Sequence, residues 1–342
     1  MQSPKHDKPP SSASAGFFQP RPVLRNPFLD DPVLQRVFST YLPNDLQAAL
    51  APDLKRFGAL MLDPRVLAHG ADAERNLPYV KTAYARVRRV RGGELLMDNA
   101  LHVRTLAAWG VEYAAMMQLV FATAALLGVA ENRRGGGGSG VEWLDGLGGG
   151  DCRAGGVYGE LGRCGFLENE DPELNLARLF RDANVLSIWE GTTNVLADDM
   201  VRVVKGKEGD KVLDSLVNLV AAVVGLGGLA GSDVADKIKT KAEQLMAWVL
   251  NATADDLRAE GRKLLADFGW VVCAVLLAVD ATRDGDEVAW EVLRRWTRRT
   301  DGWPGAGFEK SHVPENVVST ERLRLDKLIV FGEHGLRETG KL

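Results

Sequence analysis

From Ala100 to Val129, apolar side chains recur at three- and four-residue steps: Leu106, Trp109, Tyr113, Met116 and Val120, with Leu127 returning to the same face. That is the period of an α-helix, and Gly110 is its one weak spot. The same period resumes after Glu168 and does not stop. Asp171-Pro172 offers an N-cap with proline at the first helical position, followed by Leu174, Ala177, Arg178 and Arg181 on neighbouring turns. Thr193 precedes a helix through Val195, Met200 and Val203 that ends at Gly206, and Val212, Leu213, Leu216, Val220 and Val223 form the next. Ile238–Leu250, Leu257–Val279 and Glu287–Trp296 continue the series. Ten of the 14 prolines lie in the first 65 residues, so the helices there are expected to be short. Asp31-Pro32 starts one with Val33, Val37 and Phe38 on a face. Asn44 caps a second through Leu46 and Leu50, and Pro52 starts a third through Leu54, Phe57 and Met61. No series of period-two strands interrupts them, and the predicted fold class is all-α.

Glycine sets the punctuation. Residues 135–165 hold 14 of the 37 glycines, including Gly135–Gly138 and Gly148–Gly150. Glycine buries no side chain and loses the most backbone entropy on ordering, so this run reads as a linker rather than as core. The polar stretch Met1–Ala15, with Pro9 and Pro10 adjacent, reads as a disordered tail.

Charge narrows the functional classes. Lys+Arg is 42 against 46 Asp+Glu, a net charge of −4, which excludes a generally basic nucleic-acid binder. Three cysteines with no C-x-x-C fit a reducing compartment. Five scattered histidines, none paired at i,i+3 or i,i+4, give no metal site. Tyr113–Ala130 is uncharged over 18 residues but alanine-rich, with Gln118 and Thr123 inside, and reads as a buried helix; Phe268–Val279 is too short to span a bilayer. No membrane association is expected. Gly340-Lys341-Leu342 lacks the serine of the peroxisomal pattern, no mitochondrial signal stands out, and a cytoplasmic location is expected.

Three motifs carry candidate chemistry. Gly225-Leu226-Gly227-Gly228-Leu229-Ala230 fits a dinucleotide fingerprint in letters, but that fingerprint works only after a strand, and here helical spacing precedes it. It reads as a break between helices, not as an NAD site. Arg294-Arg295-Trp296-Thr297-Arg298-Arg299 is able to grip phosphates and stack on a base; the plainer reading is a solvated helix face beside Glu291 and Asp301. The third is Ile188-Trp189-Glu190-Gly191-Thr192-Thr193-Asn194. Ile188 and Trp189 would desolvate Glu190 and raise its pKa, which suits a general base. Gly191 permits close approach of a ligand. Thr192, Thr193 and Asn194 offer hydroxyl, amide and backbone donors to an anionic group. An ordinary helix start, with Glu190 favoured by the helix dipole, explains the same residues.

Arg181-Asp182-Ala183 followed by Ile188-Trp189-Glu190-Gly191-Thr192-Thr193-Asn194-Val195-Leu196 closely resembles the C-terminal signature of acyl-CoA dehydrogenases. Leu101-His102-Val103-Arg104-Thr105-Leu106 resembles the start of that family's C-terminal helical domain, and residues 17–84 resemble the N-terminal helices of its adaptive-response (alkylation-damage) branch. The resemblance implies a flavoprotein that binds FAD, takes an acyl-CoA thioester as substrate and assembles as a homodimer or homotetramer. It implies Glu190 as the base that removes the α-proton, with Trp189, Thr192 and Asn194 at the flavin nucleotide. Arg89, ahead of Gly92-Gly93, falls where the family's arginine holds the FAD pyrophosphate of a neighbouring subunit, and Gly162 and Gly165 fall in its glycine loop. Arg163, Phe166 and Gly92 depart from those motifs.

The larger departure is one of architecture. Tyr84–Arg91 leads straight into C-terminal-domain sequence, where the family inserts a β-barrel. The expected organisation is a tail (1–16), an N-terminal helical region (17–85), the first helices of the C-terminal domain (86–130), a glycine-rich linker (131–157) and the rest of that domain (158–342): two helical bundles without the intervening barrel. Two functional readings follow, an FAD-dependent acyl-CoA dehydrogenase and a non-catalytic helical scaffold that touches DNA through residues 294–299.

Overall fold

The computed structural model describes residues 26–61, 85–86, 89, 93–132, 192–299 and 320–337. Among them the chain is helical, without a strand; Arg89 and Leu95 form one isolated antiparallel bridge. In chain order the named helices are α1 (Pro27–Asp30), α2 (Pro32–Tyr41), α3 (Asn44–Met61), α4 (Ala100–Asn132), α5 (Thr193–Val204), α6 (Gly209–Val224), α7 (Asp233–Asn251), α8 (Ala254–Ala259), α9 (Gly261–Asp284), α10 (Glu287–Thr297) and α11 (Thr320–Arg337).

α9 is the axis of the bundle. α4, α5, α6, α7, α8 and α10 all pack against it, and Phe268, Val271, Cys273, Ala274, Val275, Ala278 and Ala281 are fully buried. By length and composition α9 would cross a membrane, yet 83% of its most apolar window is buried against this chain's own helices. It is a core helix, and twice the length of the apolar run legible in sequence. Trp296 of α10 is fully buried beside it, and its indole N–H donates to the Trp270 carbonyl at 3.0 Å. That bond removes the penalty of burying the ring's one polar atom.

The N-terminal helices attach through aromatic rings and one arginine. Phe28 lies 5.5 Å from Phe57 and 6.3 Å from Phe38, and Phe38 meets Phe121 of α4 edge-on at 5.7 Å. Arg36 of α2 donates to Asp280 Oδ2 at 2.5 Å and to Asp284 Oδ1 at 3.0 Å, near the end of α9. Asp31 caps α2, its Oδ1 accepting from Val33 N and Leu34 N at 2.8 and 3.0 Å. The predicted N-cap and first-turn proline are both in place.

Several helix expectations need correction. Asn44–Met61 is one helix, not two, with Pro52 inside it; proline removes one ladder bond, and the helix runs on through it. Asn44 is already helical, and the first bond closes onto Pro43, Gln47 N donating to its carbonyl at 2.9 Å. Leu257–Val279 divides into α8 and α9 at Glu260, where the backbone leaves helical geometry (φ −106°, ψ 24°), and α8 has its own capping box of Thr253 and Asp256 at its start. On α4 the buried stripe is Val103, Ala107, Val111, Ala115, Leu119 and Ala122, with Leu106 beside it. Trp109, Tyr113 and Met116 are only half-buried and Val120 is exposed. The face expected from the largest residues is therefore rotated away from the one the bundle covers. Small residues sit at the contact because they let α4 approach closely: the Ala115 carbonyl accepts from Cys273 Sγ at 3.7 Å. Gly110 belongs to this logic, since a Cβ there would lie 2.8 Å from Ile329 Cγ2 of α11.

α11 was not foreseen from the pattern. It packs on α4, α10 and α2 and buries Leu328, Ile329, Val330 and Phe331. Charge fixes its register: Arg295 Nη1 donates to Asp326 Oδ1 at 2.5 Å, Arg324 reaches Glu287 at 2.6 Å, and Lys327 reaches Asp98 at 2.8 Å.

Candidate functional site

The described part of the predicted flavin motif is the start of α5. Thr192 is its N-cap, in extended conformation (φ −69°, ψ 161°), and its side chain accepts no capping hydrogen bond. Thr192 and Asn194 are both exposed. The orphan amides of a helix's first turn, with a cap hydroxyl not spent on them, form a donor set for an acceptor-rich ligand. Glu190, Trp189, Gly162 and Gly165 lie outside the described residues, as do Arg181-Asp182-Ala183 and the helix expected after Asp171-Pro172.

The surroundings of α5 explain why it starts where it does. Its inner face buries Ala197, Met200, Val201 and Val204 against α9 and α6. The first residue of α9 is Gly261, where a Cβ would lie 3.1 Å from the Ala197 Cβ. This close approach brings the following side chain, Arg262, over α5, and its Nε donates to Asn194 Oδ1 at 2.7 Å. One turn along, Arg258 Nε donates to Asp198 Oδ1 at 3.0 Å, and its Nη1 to Asp255 Oδ1 at 2.9 Å. The hydrogen bonds to Asp198 and Asp255 raise the Arg258 pKa above its ordinary value. Nearby, Asp267 is buried between Lys263 at 2.6 Å and Lys241 at 2.7 Å, and the Lys263 ammonium sits 4.3 Å from the Trp248 ring centre.

Arg258, Gly261 and Arg262 were not singled out in the sequence. A signal for them exists: Asn194 and Asp198 stand four apart, as do Arg258 and Arg262, so two acceptors and two donors repeat at one helical turn. Without knowing that α5 and α8–α9 meet, the two spacings cannot be paired.

Arg89 is described and exposed. Its Nη1 donates to the Gly93 carbonyl at 2.6 Å, closing a local turn in which Gly93 has φ 83°. Among the described residues it shares no bond with Thr192 or Asn194. The Gly225–Ala230 stretch follows α6 as a turn and not a strand, as its rejection as an NAD fingerprint requires. The arginine cluster is partly spent inward. Arg295 is buried against Asp326 and Glu291, and Arg299 Nη2 donates to Glu112 at 2.8 Å.

No family model matches the chain. Among curated proteins it is 37% identical to Acyl-CoA dehydrogenase family member 11 of Caenorhabditis elegans, across 35% of this chain and 20% of that one. This match supports a relationship to the acyl-CoA dehydrogenase family over the segment it covers. Among solved structures it is similar to C. elegans ACDH-11 in complex with C11-CoA, with a TM-score of 0.55, 21% identity, and coverage of 81% of this chain and 48% of that one. At that identity the likeness concerns the fold, and among the described residues the fold is an all-α acyl-CoA dehydrogenase-like arrangement without a strand. The chain spans a fifth of the curated relative and under half of the solved one.

Proposed function

We propose that this chain is an acyl-CoA dehydrogenase-like flavoprotein that oxidises the α,β-bond of an acyl-CoA thioester. The observation that carries the reading is the start of α5, where Thr192 and Asn194 stand exposed with donors available, in the segment that matches the family's flavin motif. The fit to FAD rests on the chemistry of that donor set: a hydroxyl, a carboxamide and first-turn amides suit the oxygens of a nucleotide. Trp189, Gly162 and Gly165 belong to the same proposed binding set, and Arg89 would reach the nucleotide of a second copy in a homodimer or homotetramer. Bound flavin supplies a two-electron acceptor for the hydride leaving the β-carbon. Glu190 takes the α-proton, and the thioester is left with an α,β-double bond. An indole beside that carboxylate, as the neighbouring Trp189 in the sequence would supply, would exclude water and suit it to the role of general base. The acyl-CoA named with the solved ACDH-11 supports the substrate class. A cytoplasmic location is part of the same proposal.

The test is direct. After incubation with FAD and desalting, the purified protein should keep flavin absorption bands, and anaerobic addition of an acyl-CoA should bleach them. Glu190→Gln should keep the bands and lose the bleaching by at least about a thousandfold in rate, the scale of removing a general base. Undiminished bleaching would sink the assignment of Glu190, and a colourless protein would sink the flavoprotein reading itself.

A further inference from the structure

An exposed asparagine can turn either end of its amide toward a ligand, but Asn194 cannot do so at no cost. Arg262 Nε lies 2.7 Å from its side-chain oxygen. An arginine nitrogen only donates, so the partner atom must be the carbonyl oxygen, and the amide orientation follows from chemistry rather than from choice. The oxygen is spent on Arg262, and among the described residues Nδ2 has no partner, so both its hydrogens remain available on the exposed side. Two further features hold Arg262 in place. Gly261 sets its backbone against Ala197 of α5, and Arg258–Asp198 ties the preceding helix, α8, to α5 as well.

We propose that Arg262 is a positioning residue of the nucleotide site: it holds the Asn194 carboxamide so that its NH2 group donates to oxygen acceptors of the bound flavin nucleotide. The proposal rests on the flavoprotein reading above. Arg262 acts through Asn194 and not as an independent grip on a phosphate.

A double-mutant cycle on FAD affinity, read by quenching of flavin fluorescence, tests this. Arg262→Ala should weaken binding about five- to tenfold, and Asn194→Ala by a similar factor. The double variant should bind no more than about twofold weaker than Asn194→Ala alone, and Arg262→Lys should recover part of the loss. An Arg262→Ala protein that binds FAD as the wild type does would overturn the proposal, as would two losses that multiply. A second readout needs no flavin: the side-chain amide resonances that vanish in Asn194→Ala should shift in Arg262→Ala, and unshifted resonances would overturn the proposal independently. Wild-type protein that binds no FAD would overturn the flavoprotein reading and the ligand named here with it. FAD binding untouched by Arg262→Ala would overturn the role of Arg262 alone.

Discussion

α4 and α9 are the two long apolar helices of this chain, and the bundle treats them differently. α9 is enclosed, with every residue from Asp267 to Val275, two and a half turns, buried, and six other helices pack against it. α4 is covered by α2, α9, α10 and α11 on one stripe, and leaves Leu101, Val120 and Leu126 exposed at 77%, 47% and 50%. Both look alike as runs of apolar letters. On α4 the covered stripe mixes Val103, Val111 and Leu119 with Ala107 and Ala115, and Gly110 lets Ile329 in close, while Trp109, Tyr113 and Met116 sit on its flanks. Apolar content therefore reports that a helix is covered somewhere, and the largest apolar residues do not by themselves report where.

The largest expected effect breaks this comparison most sharply. Phe268→Ala in α9 removes a fully buried ring and should cost about 3–5 kcal/mol in unfolding free energy. Val120→Ala on the open side of α4 should stay within about 0.5 kcal/mol. Urea midpoints of the two variants would decide it, and similar losses would mean that α4 is covered on a side where Val120 is exposed.

The next effect concerns charge instead of apolar area. Arg295 and Asp326 join α10 to α11 with side chains 12% and 4% exposed. Burial alone would lower the Arg295 pKa, but the charges and hydrogen bonds of Asp326 and Glu291 outweigh it and raise it. Asp326→Ala leaves that guanidinium with Glu291 alone and should cost about 3 kcal/mol. Replacing both partners, as Arg295→Met with Asp326→Leu, should recover most of the loss, because the penalty comes from the orphaned charge and Glu291 keeps Arg294 at 3.7 Å. A double variant no more stable than Asp326→Ala would show that the pair itself holds α11 down.

These contrasts mark what was legible in the sequence. Asp31-Pro32, the start of α5 to within one residue (Thr193, expected to precede the helix, is its first residue) and the end of α6 before Gly225 could be placed, because caps, proline and glycine act within one turn. The all-α class was legible too: among the described residues there is no strand. α11 was not: its apolar core is only Leu328 to Phe331, four residues in a charged segment whose register comes from Arg295, Glu287 and Asp98 far away in the chain. Arg262 escaped for the same reason. Its partner Asn194 is 68 positions earlier, and only the packing of Gly261 on Ala197 brings the two together.

The smallest effect joins the two helices through α2. Arg36 ties α2 to the end of α9, and Asp31 ties it to α4, where the Tyr113 hydroxyl donates to Asp31 Oδ2 at 3.2 Å. Burial pushes the Asp31 carboxyl above its ordinary value of 3.8, against the opposing pull of the Leu34 and Val33 amides and the Tyr113 hydroxyl. The folded state thus holds this proton more tightly than the unfolded chain does. The stability this contributes is full below the ordinary value and is lost as pH rises through the raised one. Asp31→Asn keeps an oxygen to cap Val33 and Leu34 but cannot ionise. Its stability relative to the wild type should therefore increase from pH about 3.5 upward and then level off. Asp256, held low by its hydrogen bonds to Thr253, and Glu321, held low by Arg324, titrate in the opposite sense, but they do so equally in both proteins and cancel in the difference. Parallel urea midpoints for the two proteins across that range would show that Asp31 is ionised in the fold at no cost, and that its two backbone caps and Tyr113 fully offset its burial.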